Sequence, residues 1–198
     1  MPEHDTPLRA TARAVADATA AVLLLPVRAA YRTHLIGFTS ISQALSLVPG
    51  QLGRVLRRAW YSRTLAGCGA NLVVDFAAAI RTPRTRIGDN CYIGVYNWLG
   101  WVDMGDDFMS GSHVTILSGR RQHGFSRLDV PMREQGGELT CVTIGDDVWV
   151  GANATVSSDV SAHCIVASGS VVTDTFEPYA ILGGVPARQI GSRRDGDA

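Results

Sequence analysis

Lysine is absent from this chain of 198 residues, and every one of its 18 basic residues is an arginine. A lysine nucleophile or Schiff base is thereby excluded. Cysteine is sparse, and Cys68, Cys91, Cys141 and Cys164 form no CxxC pair. Their spacing favours small apolar fillers in a reducing compartment over disulfide or zinc roles. Long hydrophobic runs are missing too. Residues 18–27 are apolar but too few to span a bilayer, and Ser, Thr, Gln, Pro49 and Gly50 interrupt residues 35–52. The N-terminus lacks the ordered basic region, apolar core and cleavage site of a secretory leader, so a cytoplasmic setting is expected. Beyond residue 68 there is no acid/base carboxylate pair, no Ser-His-Asp order, no phosphate-binding glycine loop and no basic stripe of the kind nucleic acids require.

Acidic residues are missing from one stretch in particular, with none between Asp17 and Asp75. The total charge balances, yet residues 1–66 set eight arginines against Glu3, Asp5 and Asp17, and the rest of the chain carries the opposite surplus. Residues 8–34 are rich in Ala, Leu and Arg, which favours helix, with Pro26 placed to break or kink it. Residues 51–65 read as a second helix, presenting Arg54, Arg57, Arg58 and Arg63 beside Leu52, Val55, Leu56, Trp60 and Tyr61. Two roles fit such an arm. It caps the end of a repeat domain, or residues 8–65 make peripheral contact with an anionic membrane surface.

What the chain has in abundance is a six-residue beat. An aliphatic residue followed by a small one recurs at Ile144-Gly145, Val150-Gly151 and Val156-Ser157, and earlier at Ile87-Gly88, Ile93-Gly94 and Leu99-Gly100. Met104-Gly105 arrives one residue early, Ser110-Gly111 and Ile116-Leu117 restore the spacing, and Val166 and Val172 resume it after an irregular stretch. A period of six fits neither a helix nor a two-faced strand and is the mark of a parallel β-helix. The aliphatic side chains point inward, and the small residues allow the chain to bend. The expected organisation is a helical arm over residues 1–66, a mainly β domain over residues 67–192, and a frayed tail over residues 193–198. Residues 118–142 interrupt the beat with charged residues and four glycines. A loop this long inside a compact repeat usually carries function.

The segments Thr143-Ile144-Gly145-Asp146-Asp147-Val148-Trp149-Val150-Gly151, Ser168-Gly169-Ser170-Val171-Val172-Thr173 and Gly183-Gly184-Val185-Pro186-Ala187-Arg188 together resemble the C-terminal half of the hexapeptide-repeat acyltransferases. The likeness covers about residues 68–192 and is greatest to the O-acetyltransferases of sugars and polysaccharides. It implies a left-handed parallel β-helix, a homotrimer, and an active site between subunits that uses acetyl- or acyl-CoA, with no metal and no nucleic acid. The acceptor it implies is a saccharide or saccharide-lipid.

Acyl transfer from a thioester to a hydroxyl needs a base for the alcohol proton and donors for the developing oxyanion. His123 stands at the start of the long loop, where the resembling enzymes carry their catalytic histidine, and an imidazole suits direct transfer within a ternary complex. Trp149 precedes the inward-facing Val150 and so projects outward; the resemblance makes it a wall of the CoA groove. The same likeness assigns Ala152, Ser168 and Thr173 to the CoA channel and Asn97 to the acceptor, and Arg188 offers a guanidinium for a nucleotide phosphate. Asp174 stands where relatives often carry a lysine. His113 falls inside a repeat and reads as a corner residue, while His4, His34 and His163 suggest no role. Three other readings remain open at this point. One is acetyl transfer to an amino sugar or to serine. The second is the zinc-dependent carbonic anhydrase branch of the fold, for which only His113 and His123 are suitably placed. The third is a scaffold without catalysis.

Overall fold

The computed structural model describes residues 7–196, so Glu3, His4, Asp5 and the last two residues of the expected tail lie outside it. Four helices come first, α1 Pro7–Leu23, α2 Leu25–Arg32, α3 Phe38–Ser46 and α4 Gly50–Tyr61. Pro26 sits in the first turn of α2, where its missing N–H costs nothing, and the break falls just before it. Helix α3 lies in a stretch for which the sequence suggested no element.

From Gly67 the chain winds through about six coils. Strands β1 Gly67–Cys68, β2 Val73–Val74 and β3 Ala79–Ile80 form the first, and β4 Arg86–Ile87, β5 Tyr92–Ile93 and β6 Trp98–Leu99 the second. The third comprises β7 Val102–Met104, β8 Met109–Ser110 and β9 Thr115–Ile116. After the loop, β10 Val142–Ile144, β11 Trp149–Val150 and β12 Thr155–Val156 form the fourth. A bridge at Val160, β13 Ile165–Val166 and β14 Val171–Val172 make the fifth, and β15 Ala180–Gly183 opens the last. Strand β16 Arg188–Ser192 ends the stack by pairing antiparallel to β15. Stacking these strands in parallel generates three faces. Face A holds β1, β4, β7 and β10; face B holds β2, β5, β8, β11, β13 and β15; face C holds β3, β6, β9, β12 and β14.

The six-residue beat has a local cause. The second residue of each short strand points inward, so that Val74, Ile80, Ile93, Ile116, Val150, Val156, Val166 and Val172 are fully buried. A second inward position lies two residues earlier and is filled by Leu72, Ala78, Cys91, Phe108, Val114, Val148, Ala154 and Cys164. Between faces A and B, and again between B and C, the chain turns through one residue with positive φ, such as Asn90, Asp107 and Asp147 at the first edge and Tyr96, His113 and Asn153 at the second. Asparagine and aspartate tolerate that conformation better than most residues. The third edge, from C to A, has no such residue except Gly119 at the loop. Without a fixed corner its length is free to vary. The early arrival of Met104, the long loop and the irregular stretch after Val156 all fall at this one edge.

Glycine at the coil starts makes room for the next coil. A Cβ on Gly105 would lie 2.1 Å from Asp146 Oδ1. The aspartate after each such glycine accepts a hydrogen bond from the coil before it, Asp89 from Ala70 N (2.6 Å), Asp106 from Asp89 N (2.7 Å) and Asp146 from Asp106 N (2.8 Å).

The first coil has no preceding coil to pair with, and the arm takes that place. Arg57 donates through Nε to Val74 O (2.8 Å), and the Tyr61 hydroxyl accepts from Ile80 N (3.2 Å). The Thr39 hydroxyl donates to Arg81 O (2.9 Å), and Ala77 N donates to Ser46 O (2.8 Å). Helix α4 is therefore a cap and not a membrane-facing surface. Arg57, Trp60 and Tyr61 are fully buried, Arg58 pairs with Asp17 (2.6 Å) and Arg54 with Asp75 (2.7 Å). The amphipathic pattern of residues 51–65 is real, but Arg54, Arg57 and Arg58 turn to the protein while Arg63 stays exposed. At the other end, Arg193, expected in a frayed tail, is held by Asp147 Oδ2 (2.8 Å) and His163 O (3.0 Å).

Candidate active site

The loop leaves β9 on face C and rejoins the coils at β10 on face A. Its neck is a tight antiparallel pairing in which Thr140 N donates to Ser118 O (3.1 Å) and Glu138 N to Arg121 O (2.9 Å). Glycine makes the pairing close, since a Cβ on Gly137 would lie 2.1 Å from Gln122 O. Farther out, the Gln135 amide donates to Arg127 O (2.7 Å) and Val130 O (2.8 Å) and accepts from Arg127 N (3.1 Å), which fixes the loop's shape. His123 stands where the neck opens. It is exposed and makes no hydrogen bond among the described residues. The apolar side chains Phe125, Leu128 and Met132 around the loop tip are 68%, 98% and 65% exposed. A cleft of about 370 Å³ lies at the base of the neck, lined by Arg120, Arg121, Glu138, Cys141, Ser157 and Asp159.

Trp149 is elsewhere. It stands on face B, 47% exposed, in register with Met109 on one side and Ile165 on the other. That register continues through Tyr92 and Val73 towards the arm and through Ile181 towards the C-terminal end. The outward column of face B is thus apolar from end to end. On face A the same column reads Gly67, Arg86, Asp103 and Thr143 and is polar. The apolar column was legible as the residue just before each inward one, but only once the faces were separated.

The remaining expected residues divide between two edges. Ala152 and Ser168 are neighbours at the edge from B to C, where Gly151 fits because a Cβ there would lie 2.5 Å from Ser168 N. Thr173 lies at the edge from C to A, its hydroxyl donating to Asp174 (3.3 Å). Asp174 is also paired with Arg120 of the loop (3.3 Å) and faces Arg188 at 3.9 Å. An arginine from the loop and one from the chain end thus flank a single carboxylate, an arrangement that spacing in the sequence did not suggest.

Asn97 occupies the second inward series, 1% exposed, where its amide donates to the Ser110 hydroxyl and its oxygen accepts from Val114 N (2.8 Å). It is a satisfied polar group inside the coil. His113 is a corner residue, stacked on Tyr96 with ring centroids 4.8 Å apart, and so lies at a different edge from the loop that carries His123. His163 stacks on Tyr179 (4.6 Å) and contacts Asp147 (3.1 Å). That contact, followed by the Arg193 guanidinium, holds the Asp147 carboxyl below the usual carboxylate range. Burial pushes the Cys68 thiol up to about 11 and the Cys91 thiol up to about 12, which makes neither a nucleophile.

Within one chain, then, His123 and Trp149 do not meet. Fold, repeat and loop define a parallel β-helix of hexapeptide repeats with one inserted arm from its open edge. Residues 141–174 match the family model described as the hexapeptide repeat of succinyl-transferase. Over 101 residues the chain is 29% identical to the galactoside O-acetyltransferase of Escherichia coli strain K12, covering 48% of this chain and 46% of that protein. Over 52 residues it is 46% identical to a chloramphenicol acetyltransferase of Klebsiella aerogenes, a quarter of each chain. The fold is shared with a galactoside acetyltransferase solved in complex with coenzyme A, at a TM-score of 0.63 and 22% identity over 81% of this chain and 82% of that one. The chain thus carries the hexapeptide repeat over residues 141–174 and shares its fold with solved hexapeptide-repeat acetyltransferases. It spans between about a quarter and under a half of the length of the curated relatives it matches.

Proposed function

We propose that this protein is an acetyl-CoA-dependent O-acetyltransferase that modifies a hydroxyl of a saccharide or saccharide-lipid in the cytoplasm, working as a homotrimer. The observation that carries the reading is the placement of His123. A braced neck projects an imidazole with no hydrogen-bond partner among the described residues, amid exposed apolar residues, while the apolar column around Trp149 lies on another face. The two complete one site when the loop of one subunit reaches face B of the next. That assembly also covers Phe125, Leu128 and Met132, which a lone chain leaves in water.

In this site a ring nitrogen of His123 takes the proton of the acceptor hydroxyl as its oxygen attacks the thioester carbon. The carbon–sulfur bond then breaks, CoA leaves as thiolate, and the imidazolium returns the proton to sulfur. An acetyl ester and free CoA result, with no acyl-enzyme formed. Trp149 packs along the carrier, Ala152, Ser168 and Thr173 line its path, and Arg188 holds a phosphate once Asp174 is displaced or shared. The O-acetyl reading over transfer to nitrogen rests on the galactoside O-acetyltransferase relative. The test is release of free thiol from acetyl-CoA in the presence of candidate sugars, with sedimentation to give the subunit number. His123→Ala should lower kcat by roughly 100-fold or more with little change in the KM for acetyl-CoA. Full activity in that variant would remove His123 from the mechanism, and an active monomer would refute the shared site.

A further inference from the structure

The outer layer of the arm has its polarity inverted. Helix α1 packs on α4, and the charged residues Arg13 and Asp17 are half-buried, Asp17 in its pair with Arg58. From Thr11 to Ala29, every residue that is exposed is uncharged. Val15, Val22, Leu23 and Leu25 are 62%, 64%, 64% and 53% exposed, with Ala18 and Pro26 among them. A surface helix ordinarily turns its charges to water and its apolar stripe inward. Here the apolar stripe faces out.

Charge says what covers it. Arg28 and Arg32 follow on α2, and neither forms an ion pair among the described residues. The sequence supplies no acid between Asp17 and Asp75. A second copy meeting this face symmetrically would set arginine against arginine. An anionic lipid surface supplies both what the apolar residues need and what the arginines need. Among the described residues no single helix is long and apolar enough to cross a membrane, although α1 from Thr11 and α2, bent 51° to each other, together meet that measure by length and composition. The packing of α1 on α4, with Asp17 tied to Arg58, holds the pair against the protein and keeps it lying along the surface.

We infer that the outer face of α1 and α2 is a docking surface for an anionic phospholipid bilayer. Val15, Val22, Leu23 and Leu25 enter the headgroup and acyl boundary, and Arg28 and Arg32 meet lipid phosphates. Because α3 and α4 cap the first coil, the bilayer lies at the N-terminal end of the prism. The loop leaves two strand spacings farther along, which puts its base roughly 10–15 Å beyond the cap. A lipid-borne acceptor is then within reach, although the docking does not depend on the acyl-transfer reading.

The experiment is co-sedimentation of the full chain with vesicles of phosphatidylglycerol and phosphatidylethanolamine, and with phosphatidylcholine vesicles. The protein should pellet with the anionic vesicles at about 0.1 M salt and be largely released at about 0.5 M. The paired substitutions Val22→Glu/Leu25→Glu and Arg28→Gln/Arg32→Gln should each weaken partitioning by roughly tenfold or more. The second pair keeps the test valid should the first disturb the helix, and circular dichroism reports that directly. His123→Ala protein should pellet like wild type, and both arm variants should keep thiol release with a soluble acceptor, so that the two proposals fail separately. Absence of vesicle binding, binding undiminished in both variants, or a fall in oligomer mass in place of lost vesicle binding would each overturn the inference. The last outcome would assign the face to a second copy.

Discussion

Removing Arg57 should unseat the arm from the β-helix. This guanidinium is fully buried and donates to four backbone carbonyls, Val74 O (2.8 Å), Leu45 O (2.9 Å), Ser46 O (3.2 Å) and Val48 O (2.8 Å). Three of these belong to the end of α3 and the turn after it, where helix carbonyls lack partners, and the fourth belongs to the uncapped first coil. Gly53 permits the approach, since a Cβ there would lie 1.8 Å from Val48 O and 2.7 Å from Arg57 Nη1. Ser46 O keeps its bond from Ala77 N, but the Val74 and Val48 carbonyls lose this donor. At about 1–3 kcal/mol for each buried group left unsatisfied, plus the packing of the stem, Arg57→Met should cost about 4 kcal/mol. For a chain of this size that corresponds to a melting temperature lower by roughly 8–16 °C. Arg57→Lys should fall between, because one ammonium cannot serve carbonyls lying in two directions. The assay is thermal unfolding followed by circular dichroism at one fixed protein concentration, because the midpoint of any self-associating protein depends on concentration. An Arg57→Met protein melting within about 2 °C of wild type would refute the capping argument.

Three further outcomes follow from the geometry. Trp149→Ala should raise the KM for acetyl-CoA by roughly tenfold while leaving kcat nearly unchanged, as steady-state thiol release will show; an unchanged KM would place the carrier away from face B. The Asp147 carboxyl is held low by His163 and then Arg193, so its contribution to stability is present above the ordinary aspartate range near pH ~4 and is lost as pH falls through the depressed value. Melting curves of Asp147→Asn between pH 3 and 6 should therefore fall less steeply on acidification than those of wild type, and parallel curves would contradict the pairing. Burial raises all four thiols, Cys91 to about 12 and Cys68 to about 11. Iodoacetamide at neutral pH should accordingly leave Cys91 and Cys164 unlabelled in the folded protein and label them after denaturation, and rapid native labelling of either would show that the coils open.

The six-residue beat was legible because its cause is local. An inward aliphatic, a small residue and a turn recur within each side of the coil, so Ile144-Gly145 or Val150-Gly151 announces the fold without any distant partner. The break in the beat exposed the loop for the same reason, and with it His123. The burial of Asn97 was not legible, because a polar residue in a mostly apolar inward series cannot be distinguished from a surface residue until the partners of its amide are known. Those partners, Ser110 and Val114, lie on the next coil. The role of Arg57 stayed open for a similar reason, since an amphipathic pattern records which residues share a side but not whether water or protein lies against it. The sequence alone therefore determined the coil and its interruption. The tertiary structure decided which edge was free to vary, which face was apolar from end to end, and that His123 and Trp149 stand apart in one chain, because those are relations between coils and faces that no stretch of residues contains.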